Sequence, residues 1–361
     1  MFNRRIQNRR RKSGLLSRKR FTGWLLSFMA VFAVFALNSC SNSQQTATSS
    51  TQPNNVNPPA QVSKPAVIKL DYAYYNPVSL VIKEKGWLEE DLSKDNVKVE
   101  WVLSQGSNKA LEFLNGSSLD FGSTAGAAAL IGKANGNPIK SIYVYSKPEW
   151  TALVVGANSS IKSVPELKGK KIAATRGTDP FIFLLRTLDK FGLTDKDVEI
   201  VPLQHADGRV ALEKGDVDAW AGLDPHMAKS EVEQGSKLLF RETSFNSYGV
   251  LNVREAFTKE YPEYITRVLK VYEKGRDWAI KNPAEFKQIL IKASKLTDAV
   301  AAKQLERTDL TSSAIGEEQK TVILAAGDVL KKSNVIKTDT DVAKVVGDLI
   351  DPQYFAKLAA K

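Results

Sequence analysis

From Ala66 onward the chain alternates two textures. Short runs rich in Val, Ile and aromatic residues, "AVIKLDYAY", "VKVEWVLS", "LDFGST" and "IKSIYVYS", read as strands. Between them lie "VSLVIKEKGWLEEDL", "NKALEFLNG" and "AGAAALIGKANG", whose apolar residues recur at helical spacing. The first of these carries Leu80, Val81, Trp87 and Leu88 and is interrupted by Gly86, and the second closes on Gly116. Strand and helix in strict succession leave few solutions, and the alternation predicts an α/β fold built on a mostly parallel sheet with helices on both faces.

A second series starts after Trp150: "TALVVGA", "VPELKG", "KKIAATRGT", "PFIFLLRTLDKFG", "VEIVPLQ", "ADGRVALEKG" and "VDAWAGLDP". "ALEFLNGSSLDFGST" (Ala110 to Thr124) and "ALEKGDVDAWAGLDP" (Ala211 to Pro225) share a plan in which a helix ends in Gly, an Asp follows, and a buried strand ends in small or polar residues. Two lobes of similar build are expected, as 361 residues allow. Beyond Tyr248 the chain is mainly helical, and Asn282-Pro283 has the form of a helix start with Asn as cap and Pro at the first helical position. These helices are expected to return to the first lobe.

The formal net charge of +11 would point to a polyanion partner if it were spread over the fold. It is concentrated instead: Arg4, Arg5, Arg9, Arg10, Arg11, Lys12, Arg18, Lys19 and Arg20 precede every acidic residue, the first of which is Asp71. Past Cys40 the balance is 42 basic against 40 acidic residues, so nucleic-acid binding is not expected. The basic cluster leads into the apolar run "FTGWLLSFMAVFAVFAL" (Phe21 to Leu37), the pattern of an export signal over residues 1–39. An uncleaved membrane anchor is the competing reading of a run this long. Leu37-Asn38-Ser39-Cys40 resembles a bacterial lipobox, which implies acylation of the only cysteine and a lipid anchor to the cell membrane. Ser17 to Phe21, "SRKRF", only approaches a twin-arginine signal, so ordinary secretion is expected. "SNSQQTATSSTQPNNVNPPAQVSK" (Ser41 to Lys64) is too poor in apolar side chains to offset ordering entropy and reads, within residues 40–65, as a tether. About 25 such residues span roughly 25–30 Å root-mean-square.

In open α/β sheets ligands lie beyond the carboxyl ends of strands. Three ends stand out: Tyr74-Tyr75-Asn76, Gly122-Ser123-Thr124-Ala125, and Arg176-Gly177-Thr178-Asp179, with Gln105 and Gly106 as a further wall. Opposed helix N-termini with Ser, Thr and Arg would form a socket for an anion. Plainer roles stay open at each position: Ser123, Thr124 and Asp179 as caps, Arg176 as a surface charge, Asp224 as a turn residue, the tyrosines as packing. Enzymatic readings lack partners. The Asp120-Phe121-Gly122 triplet has no Gly-rich loop or catalytic Asp upstream, and Ser123 sits in no Gly-x-Ser-x-Gly elbow. His205 and His226 lack the spacing of a structural metal site.

"YNPVSLVIKEKGWLEEDL", "ALEFLNGSSLDFGST", "IKSVPELKGKKIA", "TRGTDPFIFLLRTL" and "GDVDAWAGLDPH" resemble segments of the solute-binding proteins of bacterial ABC importers, in the aliphatic sulfonate/nitrate/taurine branch, in order from about Val67 to Phe355. The resemblance implies a two-lobed type II periplasmic binding fold with helix-flanked sheets and a helical C-terminal region. Lobe 1 would comprise residues 66–147 and 248–361 and lobe 2 residues 148–247, with the hinge near Pro148 and Ser247. It also implies a monomer that needs no cofactor or metal, catalyses nothing, and delivers a small anionic ligand to membrane permease subunits from the extracytoplasmic, periplasmic side. The family's contact positions fall on Tyr75, Asn76, Gln105, Gly106, Ser123, Thr124, Gly177, Thr178 and Asp224, to which the residue chemistry adds Tyr74 and Arg176. An alkanesulfonate is the first expectation for the ligand, and nitrate, taurine or a thiamine-precursor pyrimidine the alternatives, the last using Tyr74, Tyr75 and Trp220 as stacking faces. A zwitterionic aminosulfonate would answer both Arg176 and Asp224. An exported hydrolase using Ser123 is the remote alternative from another class.

Overall fold

The computed structural model describes residues 63–147 and 149–359. The export segment, Cys40, the tether up to residue 62 and Pro148 lie outside the described residues.

Ten strands are described: β1 (Val67–Tyr72), β2 (Lys98–Leu103), β3 (Phe121–Ala125), β4 (Ile139–Ser146), β5 (Thr151–Val155), β6 (Lys171–Ala173), β7 (Glu199–Val201), β8 (Ala219–Leu223), β9 (Lys237–Phe240) and β10 (Gly249–Arg254). They form two sheets of the same plan, ordered β2-β1-β3-β10-β4 and β7-β6-β8-β5-β9. In the first, β1 pairs in parallel with β2 and β3, while β10 runs antiparallel between β3 and β4. In the second, β6 pairs in parallel with β7 and β8, while β5 runs antiparallel between β8 and β9. The sheets are therefore mixed, where the alternation alone predicts a mostly parallel arrangement. Connectivity is the reason: β5 and β10 are the strands on which the chain passes from one sheet to the other. Each enters its new sheet from the carboxyl edge and must run against its neighbours.

The central strands β3, β5 and β8 are buried at all five positions, as strands covered by helices on both faces are. Around the first sheet lie α1 (Pro77–Lys85), α2 (Trp87–Ser93), α3 (Ser107–Asn115) and α4 (Gly126–Ala134); around the second lie α5 (Asp179–Lys190), α6 (His205–Lys214) and α7 (His226–Gln234). Gly86 separates α1 from α2 by adopting φ +64°, a left-handed turn that suits glycine, with its N–H on the Ile82 carbonyl. The C-terminal region comprises α8 (Glu255–Glu260), α9 (Pro262–Lys281), α10 (Pro283–Ser294), α11 (Asp298–Glu306), α12 (Glu317–Leu324), α13 (Gly327–Lys332), α14 (Val342–Leu349) and α15 (Gln353–Ala359). Helix α9 buries Ile265, Val268, Leu269 and Tyr272 on one face and lies along α1. At their contact Gly275 leaves no room for a side chain, since a Cβ would stand 2.8 Å from Ile82 Cγ1. Most of this region returns to the first sheet as expected, but α11 also packs on α7, and α13 on α5.

The internal repeat has a physical counterpart. In the first sheet the Lys69 amide donates to Asp120 Oδ2 at 2.9 Å, and the Asp120 amide to the Lys69 carbonyl at 2.8 Å. In the second, the Lys171 amide donates to Asp218 Oδ2 at 2.8 Å, and the Asp218 amide to the Lys171 carbonyl at 2.9 Å. Each Asp thus pins the start of a central strand to its parallel neighbour. Asp120 is occupied in this way and by Arg254 at 2.5 Å, which accounts for the first residue of the Asp-Phe-Gly triplet without any metal chemistry.

Candidate functional site

The carboxyl ends of both sheets meet around a cavity of about 430 Å³. Its walls come from the loop after β1 (Tyr74, Tyr75), the end of β2 (Leu103, Ser104, Gln105), the start of α6 (Gln204, His205, Ala206, Asp207) and the end of β8 (Leu223, Asp224, Pro225, His226). A larger groove of about 610 Å³, lined by residues such as Gly156, Ser160, Lys214 and Ser236, has no unpartnered buried side chain in its lining among the described residues. The smaller cavity has three: Ser104 Oγ, Gln204 Oε1 and His205 Nε2. Buried polar atoms are nearly always partnered, so three orphans around one cavity mark a place that a ligand completes.

Of the residues singled out in the sequence, Tyr74, Tyr75, Gln105 and Asp224 line this cavity. Gly106 stands directly behind it. Its φ is 171°, ordinary extended backbone, and the requirement for glycine is space: a Cβ would lie 3.0 Å from His205 Nε2 and 2.8 Å from Asn108 Oδ1. Gly177 does need glycine for conformation, at φ +75°, and a Cβ there would stand 3.6 Å from Asn108 Cβ. Gly106 thus lets the loop before α3 approach the start of α6 across the gap between the sheets, and Gly177 brings the loop before α5 near α3.

Asn76, Ser123 and Thr124 are fully buried and are not among the residues lining the cavity. Ser123 Oγ donates to Asp71 Oδ1 at 2.9 Å and accepts from Asn76 Nδ2 at 2.8 Å, while its amide also donates to Asp71. Tyr75 Oη donates to the Ser123 carbonyl at 3.0 Å. Thr124 Oγ1 accepts from Asn252 Nδ2 at 2.8 Å. The three residues thus brace the strand ends from behind, and Asp71 at the centre of the bracing is pushed up to about 6 by burial, against the hydrogen bonds from Ser123.

Of the pair of helix starts expected to face an anion, α4 has its first amides on protein acceptors and α5 has the carboxylate of its first residue held by protein donors. At the head of α4, the Gly126 amide donates to the Tyr248 carbonyl at 2.8 Å and the Ala127 amide to Ser247 Oγ at 3.0 Å. At the head of α5, Asp179 is the first helical residue, and its carboxylate accepts from Ser247 Oγ at 2.7 Å, the Ser247 amide at 3.1 Å and Trp150 Nε1 at 3.1 Å. Thr178 Oγ1 donates to the Thr175 carbonyl at 2.6 Å. What remains between α4 and α5 is a recess of about 10 Å³, room for little more than one water. Asp179 there is pushed up to about 6, chiefly by burial. The helix starts nearest the cavity are those of α3, α6 and α7; the first two have no side-chain cap on their first amides, whereas at α7 the Ala228 amide donates to Asp224 Oδ1 at 2.8 Å.

Arg176 is exposed, with its guanidinium 5.2 Å over the Phe181 ring, and it is not among the cavity-lining residues. The cation beside Asp224 is instead Arg307, just past the end of α11. Its Nη1 lies 3.3 and 3.4 Å from the two Asp224 oxygens, and its Nη2 meets Glu231 on α7. Burial pushes the Asp224 carboxyl up to about 7, with the Arg307 charge opposing. Trp220 is fully buried among Ala152, Val154, Leu212 and Met227 and offers the cavity no stacking face. His205 and His226 are both driven down, to about 3 and about 4, mainly by burial.

Sequence reasoning missed Ser104, Gln204, His205, His226 and Arg307. The plan of the repeat held a signal for the first three, because the loops that follow β2 and β7 occupy equivalent places in the two sheets and open helices α3 and α6. Arg307 carries no local signal. It reaches Asp224 across 83 positions of sequence only through the packing of α11 on α7.

Two similar α/β lobes, closed over a cavity at facing strand ends, define the class of the periplasmic binding proteins. The chain belongs to the NMT1/THI5 like family, whose profile matches residues 78–286. A protein assigned by name as an aliphatic sulfonates-binding protein of Bacillus subtilis (strain 168) is 32% identical over 270 residues, 74% of this chain and 81% of the relative. Among solved structures, the alkanesulfonate-binding protein SsuA from Xanthomonas axonopodis pv. citri, bound to MOPS, superposes with a TM-score of 0.71 at 23% identity, covering 78% of this chain and 98% of that one. The periplasmic nitrate-binding protein NrtA from Synechocystis PCC 6803 gives 0.67 at 13% identity, covering 83% and 90%. The chain is a solute-binding protein of the kind that serves ABC importers, not an enzyme. No helix among the described residues is long and apolar enough to cross a membrane.

Proposed function

We propose that this protein is a monomeric, lipid-anchored, extracytoplasmic receptor that captures a small organic anion of the aliphatic sulfonate class and hands it to the membrane permease of an ABC importer. The observation that carries the reading is the cavity with orphaned polar atoms at facing strand ends. The sulfonate assignment draws on the Bacillus subtilis relative, of which the chain covers 81%. Tyr74, Tyr75, Ser104, Gln105, Gln204, His205 and Asp224 are the contacts this reading assigns. Uncapped amides at the starts of α3 and α6 supply the positive end of a helix dipole for the anionic group. The lobes are residues 66–147 with 248–361, and 148–247, hinged near Pro148 and Ser247.

A thermal-shift panel of alkanesulfonates, taurine, nitrate and pyrimidines on the chain without its first 39 residues tests the ligand class. A saturable shift with alkanesulfonates supports the reading, and a shift confined to nitrate or to the pyrimidines contradicts it. The anchor is tested separately. Mature protein from membranes should carry lipid mass on Cys40, and Cys40→Ser should release it to the soluble fraction, whereas an unmodified Cys40 and unchanged fractionation would refute the anchor.

A further inference from the structure

Two residues of the wall that α6 contributes, Gln204 and His205, carry unpartnered buried side-chain atoms. Thr175 Oγ1 has one hydrogen to give and donates it to the Leu203 carbonyl at 2.7 Å. Its contact with His205 Nδ1, at 3.2 Å, must therefore run the other way, with Nδ1–H donating to Thr175 Oγ1. A neutral imidazole has one N–H, so Nε2 holds a lone pair. Burial keeps the ring neutral: His205 is 1% exposed, and burial lowers its basicity far below that of a free imidazole. That lone pair has no partner among the described residues. Gln204 Oε1, an orphaned acceptor on the adjacent residue, lines the same cavity, and so does Asp224. The cavity lining includes no Lys or Arg, and Arg307 behind Asp224 is taken by two carboxylates.

We infer that His205 Nε2 is a specificity-determining acceptor that reads an N–H donor on the bound ligand. The protein therefore prefers a ligand carrying an amino group to the same skeleton without one. The inference rests on the proposed function and narrows it: within the sulfonates it favours aminoalkanesulfonates, and the same N–H chemistry is available from an aminopyrimidine. The physical ground for discrimination is that a ligand without the donor leaves a buried acceptor desolvated and unpaired, which a site built for that bond rejects strongly.

Calorimetric titration with two matched pairs tests this: 2-aminoethanesulfonate against propane-1-sulfonate, and 4-amino-2-methylpyrimidine against 2,4-dimethylpyrimidine. Wild type should bind the amino member of at least one pair about 10-fold or more tighter than its counterpart. His205→Phe should reduce that ratio to about 2 or less, and His205→Gln, which restores a side-chain acceptor, should recover much of it. The pair that shows the preference identifies the source of the N–H group. No preference within either pair, or a ratio that His205→Phe leaves unchanged, overturns the role of His205, and the sulfonate reading survives that outcome where either sulfonate binds. Failure of all four probes to bind overturns both.

Discussion

Asp71 is a carboxylate at 0% exposure, held by the amide and hydroxyl of Ser123 and by no basic side chain among the described residues. Its folded value of about 6 lies above the ordinary 3.8 that it regains on unfolding. Between those values the folded chain binds more protons than the unfolded one. The cost of burying the charge is therefore fully present above pH 6 and relieved as pH falls toward 4. Relative to wild type, Asp71→Asn should lose on the order of 1–3 kcal/mol of stability on going from pH 8 to pH 4.5, measured by denaturant unfolding at each pH. A difference that does not change with pH would contradict this account. His205 and His226 titrate in the same range with opposite sign, but they are common to both proteins and cancel in the comparison. At this scale the sequence was a partial guide. Ser123 was legible as a small polar residue at a strand end, whereas its partner Asp71 is 52 positions away and was not. The cation beside Asp224 was sought in the nearby loop at Arg176, yet it is Arg307. Charges buried by lobe packing are chosen in three dimensions, and local text does not display them.

Elements were more legible than contacts. The strand–helix succession, the break at Gly86 and the repeat around Asp120 and Asp218 all follow from spacing and glycine chemistry, and each appears where expected. Pro283 opens α10 and Asn282 holds the N-cap position as anticipated, but the Asn282 side chain makes no capping bond and spends its amide on the Trp278 carbonyl at 2.8 Å. Strand direction was not legible for β5 and β10, because it depends on which edge of the sheet the crossing chain enters. The choice of helix starts around the cavity failed for a related reason. Helices α3, α4, α5 and α6 all begin beyond strand ends, and only the positions of Ser247 and Tyr248 decide that the first amides of α4 and the Asp179 carboxylate of α5 are engaged by protein while α3 and α6 lie at the cavity.

For the whole molecule, the pair of lobes matters more than either. Gln304 in α11 donates to the Tyr74 carbonyl at 2.6 Å, and Ala301 of the same helix packs with Leu80 and Leu290, which ties α11 to the first sheet. One residue past that helix, the guanidinium of Arg307 engages Asp224 and Glu231 of the second. Arg307 therefore couples the two lobes beside the ligand wall. Arg307→Ala should lower unfolding stability by about 3–5 kcal/mol, because it leaves buried carboxylates unpaired, and should speed ligand release. The double variant Arg307→Ala/Asp224→Asn should recover part of the stability. Stopped-flow dissociation and denaturant melts check both effects, and unchanged release with unchanged stability would contradict the coupling. The central claim is capture without conversion. Equilibrium titration of the chain lacking its first 39 residues with a short alkanesulfonate, followed by mass analysis of the released ligand, tests it most directly. The account predicts saturable binding of one ligand per chain with the ligand recovered unchanged, and either no binding or a chemically altered product would contradict it.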